Sequence, residues 1–152
     1  MRLELKIPPL LLMFVFTGLV FLFHQLLPML SLSFAAQSAL AALICFAAAG
    51  ICAVAVLQCH FAGTTVDPRN PRASSELITS GVFRFSRNPM YLGFAMFIAG
   101  AIVLSGNLLS IAALPLFVWY LNNYQIGPEE KQLQRKFQEA YSEYQQTVRR
   151  WI

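Results

Sequence analysis

Two short stretches hold the residues that could do chemistry. Residues 79–93 read Thr-Ser-Gly-Val-Phe-Arg-Phe-Ser-Arg-Asn-Pro-Met-Tyr-Leu-Gly, which crowds Phe83, Arg84, Arg87, Asn88, Pro89 and Tyr91 into the border between a polar segment and an apolar one. The second runs from the polar group Asn122, Asn123, Tyr124 and Gln125 into Gly127-Pro128-Glu129-Glu130. Together they suit a charged, soluble ligand. A purine can stack on Phe83 or Tyr91, a carboxylate can meet backbone N–H groups or an arginine, and an ammonium can pair with Glu129. In isolation each feature has a plainer duty. Arg84 and Arg87 can anchor headgroups, Asn88-Pro89 can start a helix, and Glu129-Glu130 can match a helix dipole.

The elements that must position these residues are apolar. Of 152 residues 57% are hydrophobic and 12% charged, too little charged surface for a soluble domain of this size. No Lys, Arg, Asp or Glu occurs from Ile7 to the residue before Asp67, or from Tyr91 to Pro128. Each gap is long enough for two membrane spans. The expected fold is an all-α integral membrane protein, a single domain over 1–152. Four transmembrane helices cover 8–27, 36–57, 89–104 and 108–126, and a C-terminal amphipathic interfacial helix covers 128–149. A second apolar run follows the first at once, which favours a retained span over a cleaved signal peptide with its cut near Ser33-Phe34-Ala35. The second run, dense in alanine around Gly50, reads as the central helix of the bundle. The third and fourth are short, so a partly embedded hairpin is the alternative there.

All 11 Lys+Arg and all 7 Asp+Glu fall in the head, the connection 61–88 and the tail. With four spans, these three lie on one side, and the positive-inside rule makes it cytoplasmic, here of a bacterial inner membrane. The head carries Arg2, Glu4 and Lys6. The connection holds turn and breaker chemistry in Gly63-Thr64-Thr65 and Asp67-Pro68-Arg69-Asn70-Pro71, and ends at Asn88-Pro89, an N-cap followed by proline at the first helical position. Gly127-Pro128 reads as a second break and restart. In the tail Leu133, Phe137, Ala140, Tyr141, Tyr144 and Val148 recur at helical spacing, giving a helix that lies on the membrane or folds back on the bundle. The partners implied are a lipid bilayer and no nucleic acid, because the arginines form no compact patch. Cys45, Cys52 and Cys59 stand seven apart on one helical stripe, beyond disulfide reach, and no metal cluster is visible.

At these residues the chain resembles the membrane methyltransferases of the isoprenylcysteine carboxyl methyltransferase and phospholipid N-methyltransferase type. Their pattern Leu-Val-x-x-Gly-x-Tyr stands here as Leu77-Ile78-Thr79-Ser80-Gly81-Val82-Phe83. Arg-His-Pro-x-Tyr-x-Gly stands as Arg87-Asn88-Pro89-Met90-Tyr91-Leu92-Gly93. Glu-Glu-x-x-Leu-x-x-x-Phe-Gly-x-x-Tyr-x-x-Tyr stands as Glu129-Glu130, Leu133, Phe137-Gln138, Tyr141 and Tyr144. The resemblance implies methyl transfer from S-adenosylmethionine to a lipophilic, membrane-embedded acceptor, either isoprenylcysteine-like or a phospholipid amine. A non-enzymatic four-helix accessory protein is the rival. The resemblance implies that Glu76, Leu77, Ile78, Phe83, Asn88, Pro89, Met90, Tyr91 and Glu129 line the cofactor, with Glu129, Arg87 and Gln125 at the reacting centre. Asn88 replaces a histidine of the pattern and Phe83 a tyrosine. Gln125 stands where the carboxyl-methylating members carry an arginine.

Overall fold

Proline at the start and long apolar runs without charge translate into helices. The computed structural model describes residue 5, residues 7–63 and residues 76–152. The readings made on Arg2, Glu4 and Lys6, and on the turn chemistry of 64–75, lie outside these residues. Helix α1 is Pro9–Leu26, α2 Gln37–Phe61, α3 Pro89–Ser105, α4 Ala113–Leu121 and α5 Gly127–Thr147. Among the described residues there is no strand, only a bridge between Ser31 and Asn107. Two helices, α1 and α2, are long and apolar enough to cross a membrane, and α3 is a shorter apolar helix.

The fourth apolar run differs from the single span expected over 108–126. It is helical in three geometries: a 3-10 turn Leu109–Ala112, the nine-residue α4, and a π-turn Asn122–Ile126 that passes directly into α5. Its start is set by Asn107, fully buried, whose Oδ1 accepts from the N–H groups of Leu109 at 3.1 Å and Ser110 at 3.3 Å. The Asn107 amide donates to the Leu27 carbonyl at 2.9 Å, so one side chain caps this helix and ties it to the end of α1. The expected break at Gly127-Pro128 is absent. The Gly127 N–H bonds to the Asn122 carbonyl five residues back, and the chain stays helical. Pro128 has no N–H to give, and a wider turn ahead of it absorbs the loss without ending the helix.

The hub of the bundle is α3, not α2. Eight of the seventeen residues of α3 are buried, against four of the twenty-five in α2. Gly50 in α2 faces open space, so its smallness serves no contact among the described residues. The close approach is made from α3. A Cβ on Gly93 would lie 2.3 Å from Cys52 Sγ, and one on Gly100 2.6 Å from Cys45 Sγ. Cys45 and Cys52 thus pack into the glycines of α3, and all three cysteines are free thiols.

The tail helix does fold back, but not as one straight rod. Residues 130 and 150 on a straight helix would stand about 30 Å apart, yet Arg150 Nη2 is 2.5 Å from Glu130 Oε2. The reversal is at Gln138, with φ 45° and ψ −112°. Gln134 braces it, donating to the Gln138 carbonyl at 2.9 Å and the Ser142 hydroxyl at 2.8 Å. The apolar residues at helical spacing then close on one another: Tyr141, Tyr144 and Val148 pack with Leu133, Phe137, Leu77 and Phe83, while Ala140 is left exposed. A side chain in this backbone region costs on the order of 1–3 kcal/mol. Gln138→Gly is therefore expected to stabilise the fold by about 1 kcal/mol, net of the greater freedom glycine has when unfolded. A thermal melt in detergent reads this as a rise of a few degrees, and a fall would contradict it.

Candidate functional site

The site is built where α3 begins. Ser86 is buried, and its Oγ accepts from the Asn88 N–H at 3.1 Å and donates to the Arg150 carbonyl at 3.4 Å. Asn88 precedes the helix as expected, but its side chain does not cap α3. Its amide donates instead to the Arg150 carbonyl at 2.9 Å. The returned tail offers an extended backbone whose carbonyls have no helical partner, and Asn88 satisfies one.

Arg87 is not a headgroup anchor. Only 11% of its side chain is exposed. Nη1 donates to the carbonyls of Gln145 at 3.1 Å and Val148 at 2.8 Å, and Nη2 to Glu130 Oε1 at 2.9 Å. Its backbone N–H donates to the Arg149 carbonyl at 3.0 Å. A fixed cation at the end of the returning limb complements that helix terminus. Arg84 stays exposed at the surface. Glu130 is shared: Arg150 Nε donates to Oε1 at 3.1 Å and Nη2 to Oε2 at 2.5 Å. The last aromatic completes the lock, Trp151 Nε1 donating to Asn122 Oδ1 on the π-turn at 3.1 Å.

Between the start of α3 and the start of α5 lies a pocket of about 60 Å³, lined by Phe83, Arg87, Asn88, Pro89, Met90, Tyr91 and Glu129. Tyr91 Oη donates to Glu129 Oε2 at 3.0 Å. Burial pushes the Glu129 carboxyl up to about 7; the Tyr91 hydroxyl works against this and the neighbouring Glu130 charge adds to it. Phe83 is positioned by Tyr144, whose buried hydroxyl donates to the Phe83 carbonyl at 2.5 Å. Burial raises the Tyr144 phenol to about 12, so it remains a donor at neutral pH. The turn carrying Phe83, Gly81–Arg84, needs Gly81 at φ 59°, and it is held by Gln58, whose Oε1 accepts from the Val82 N–H at 3.1 Å.

Seven residues singled out in the sequence thus meet: Phe83, Arg87, Asn88, Pro89, Met90, Tyr91 and Glu129. Glu76 is exposed, Ile78 is half-buried, and Leu77 belongs to the tyrosine cluster; none of the three lines the pocket. Gln125 lies on the π-turn, one helical turn before Glu129. It is 1% exposed, with Nε2 lacking a partner among the described residues, and it too is outside the pocket lining. Sequence reasoning missed Ser86, Glu130 as the clamp on Arg87, Arg150 and Trp151. No spacing rule links residue 87 to residue 150, and only the reversal at Gln138 brings them together.

A second concavity, about 660 Å³ and almost wholly apolar, runs between α1 and α2 with α3 as its floor. Phe14 and Phe21 line it from α1, Cys45 and Cys52 from α2, Phe94 and Leu104 from α3. Its wall adjoins that of the pocket: Cys52 Sγ lies 3.7 Å from the Met90 carbonyl, and the Phe94 and Tyr91 rings are 6.4 Å apart between centroids. An anionic, aromatic pocket beside an apolar groove can hold a polar cation close to an apolar partner.

Fold and site define a small all-helical protein with membrane-length helices and a polar pocket beside an apolar groove. The phospholipid methyltransferase family model matches residues 36–140, more than half of the chain, and the chain belongs to that family. It is 40% identical over 73 residues to a probable protein-S-isoprenylcysteine O-methyltransferase of Oryza sativa subsp. indica, covering 48% of this chain and 38% of the relative. It is 32% identical over 72 residues to the protein-S-isoprenylcysteine O-methyltransferase of Schizosaccharomyces pombe, covering 47% and 30%. An uncharacterized protein of Haemophilus influenzae is 35% identical over 63 residues, covering 41% of this chain and all of the relative. The aligned stretch thus spans well under half the length of the two methyltransferases. No solved structure matches the chain.

Proposed function

We propose that this chain is a S-adenosylmethionine-dependent methyltransferase acting on a lipophilic acceptor. In this reading four apolar runs cross a bacterial inner membrane, with both termini and the 61–88 connection cytoplasmic. The observation that carries it is the Glu129–Tyr91 pocket lying beside the apolar groove, in a chain of the phospholipid methyltransferase family. The lining suits the donor chemically: a carboxylate for a sulfonium or ammonium, and Tyr91 and Phe83 for an aromatic ring. Whole ligands ordinarily occupy on the order of 300–1,000 Å³. The 60 Å³ pocket therefore holds one end of the donor.

When bound, the donor supplies an electrophilic methyl on an excellent leaving group. The protein's task is then alignment and exclusion of water. Glu129 holds positive charge at the mouth of the groove, Tyr91 fixes its carboxylate, and Phe94 and Cys52 close the apolar side. Arg87 and Asn88 set the pocket wall through their bonds to the tail. An acceptor that sheds a proton on methylation has Glu129 within reach as its base.

The plant and yeast relatives are named for an isoprenylcysteine acceptor. A phospholipid amine is the second reading, and one feature favours it. Gln125 is neutral, and Arg87 gives both Nη groups to Glu130 and two carbonyls, so among the described residues only its buried Nε is left to meet a carboxylate.

Titration calorimetry of the detergent-purified protein with S-adenosylmethionine or its demethylated product tests the donor. Binding is expected, and its absence in the wild type would return the chain to an accessory role. Tyr91→Phe removes the hydroxyl that favours ionised Glu129, so affinity at pH 7 falls by up to about tenfold. The pH at which affinity levels off moves upward, and an unmoved midpoint would separate Tyr91 from Glu129. Extracted lipids incubated with methyl-labelled donor identify the acceptor.

A further inference from the structure

A third concavity lies outside both the pocket and the groove. Where the two limbs of α5 close on each other, an open cleft of about 480 Å³ is lined by Lys131, Arg135 and Arg150, with Glu130, Gln134 and Gln145 beside them. Its charge is unbalanced. Glu130 is the one acid in the lining, and both of its oxygens already accept from Arg87 and Arg150. Lys131 and Arg135 are exposed, one turn apart on the same helical face, and neither has an ion pair or hydrogen bond among the described residues. Like charges at that spacing repel.

The fold itself makes the imbalance. On a straight helix Arg135 would face Glu139 four residues on. The reversal at Gln138 carries Glu139 off that face and brings Arg150 in its place. Arg150 uses Nε and Nη2 on Glu130, leaves Nη1 without a partner among the described residues, and is 37% exposed. Two unpaired cations and the free edge of a guanidinium in one concave cleft are donors that match the oxygens of a phosphate.

We propose that this cleft binds the phosphate of an anionic lipid headgroup through Lys131, Arg135 and Arg150. The choice of a lipid over free phosphate rests on the membrane reading above. The cleft opens where the apolar run ends: Lys131 and Arg135 follow Gly127 by one and two turns, at most about 6 and 12 Å along the helix. The headgroup layer flanking a bilayer core is about 5–8 Å deep on each side, which places Lys131 within it and Arg135 at its aqueous edge. The phosphate would sit one ion pair away from Arg87, on the opposite side of Glu130 from the methyl-donor pocket.

The test uses the full chain in neutral detergent with added phosphatidylglycerol or phosphatidylcholine, retained lipid being counted by native mass spectrometry. Phosphatidylglycerol is expected to bind at least tenfold more tightly than phosphatidylcholine. Lys131→Gln with Arg135→Gln, both on the surface, should abolish that preference, and 0.5 M NaCl should weaken it. Equal retention of the two lipids, or an unchanged preference in the double variant, overturns the proposal. Binding of inorganic phosphate without any preference for phosphatidylglycerol overturns the lipid assignment. Calorimetry with S-adenosylmethionine on the same samples scores the donor site separately, and the double variant should leave that affinity unchanged.

Discussion

Glu129→Gln is expected to weaken donor binding by roughly thirty- to a hundredfold at pH 8 while raising the melting temperature there. The loss follows from removing the pocket's one carboxylate, since a charge-assisted contact contributes about 2–3 kcal/mol. The gain follows from burial. The Glu129 carboxyl titrates near 7 in the fold, well above the 4.5 of an unburied one. The folded protein therefore binds more protons than the unfolded chain in this window. Stability associated with Glu129 is complete below about pH 4.5 and is lost as pH rises through 7, by an amount on the order of 3 kcal/mol. Glutamine has no proton to exchange and avoids that loss. Donor affinity in the wild type runs the other way, rising through pH 7 as the carboxylate ionises and levelling above. Calorimetry and thermal melts between pH 5 and 8.5 read both trends. A variant that binds donor normally would remove Glu129 from the site.

Glu130→Ala is expected to be the most destabilising single change at the site, costing about 3–5 kcal/mol, because it leaves the buried Arg87 guanidinium without its anion. Arg150→Gln breaks the more exposed half of the same network and should cost no more than about 1 kcal/mol. The two are separated by melts in detergent. A pairwise replacement, Arg87→Met with Glu130→Leu, should recover only part of the stability, since it avoids desolvating two charges but strands the Gln145 and Val148 carbonyls. It should not recover donor binding, because Arg87 also clamps the tail that positions Asn88. Equal losses for Glu130→Ala and Arg150→Gln would mean that the pair contributes no more than a surface ion pair.

These two neighbouring acids show how much the sequence could reveal. Glu129 was legible because a carboxylate one turn from a polar cluster, at a helix start, has an obvious use for a cation. Tyr91 and Phe83 were legible through their order around Arg87-Asn88-Pro89. Glu130 looked like a second dipole-matched acid, and its partner Arg150 like a tail charge. Their pairing requires a helix reversal at a glutamine, where the amphipathic spacing of Leu133 to Val148 continues as if nothing happened. Spacing reports which residues share a face. It is silent on a backbone angle that breaks the rod.

By itself the sequence determined the all-helical class and the starts of α1, α2 and α3 to within a residue. Charge-free runs and proline starts act locally, and local rules need no neighbours. The tertiary structure decided the hub, because close approach depends on where Gly93 and Gly100 meet Cys52 and Cys45, not on which helix holds more alanine. It decided that Asn88 serves the tail instead of capping α3, and that Glu76 and Ile78 stay out of the pocket. It also turned Arg87 from a surface cation into a buried clamp. Those outcomes depend on which distant carbonyl or carboxylate arrives within 3 Å, and only the folded path of the chain sets that.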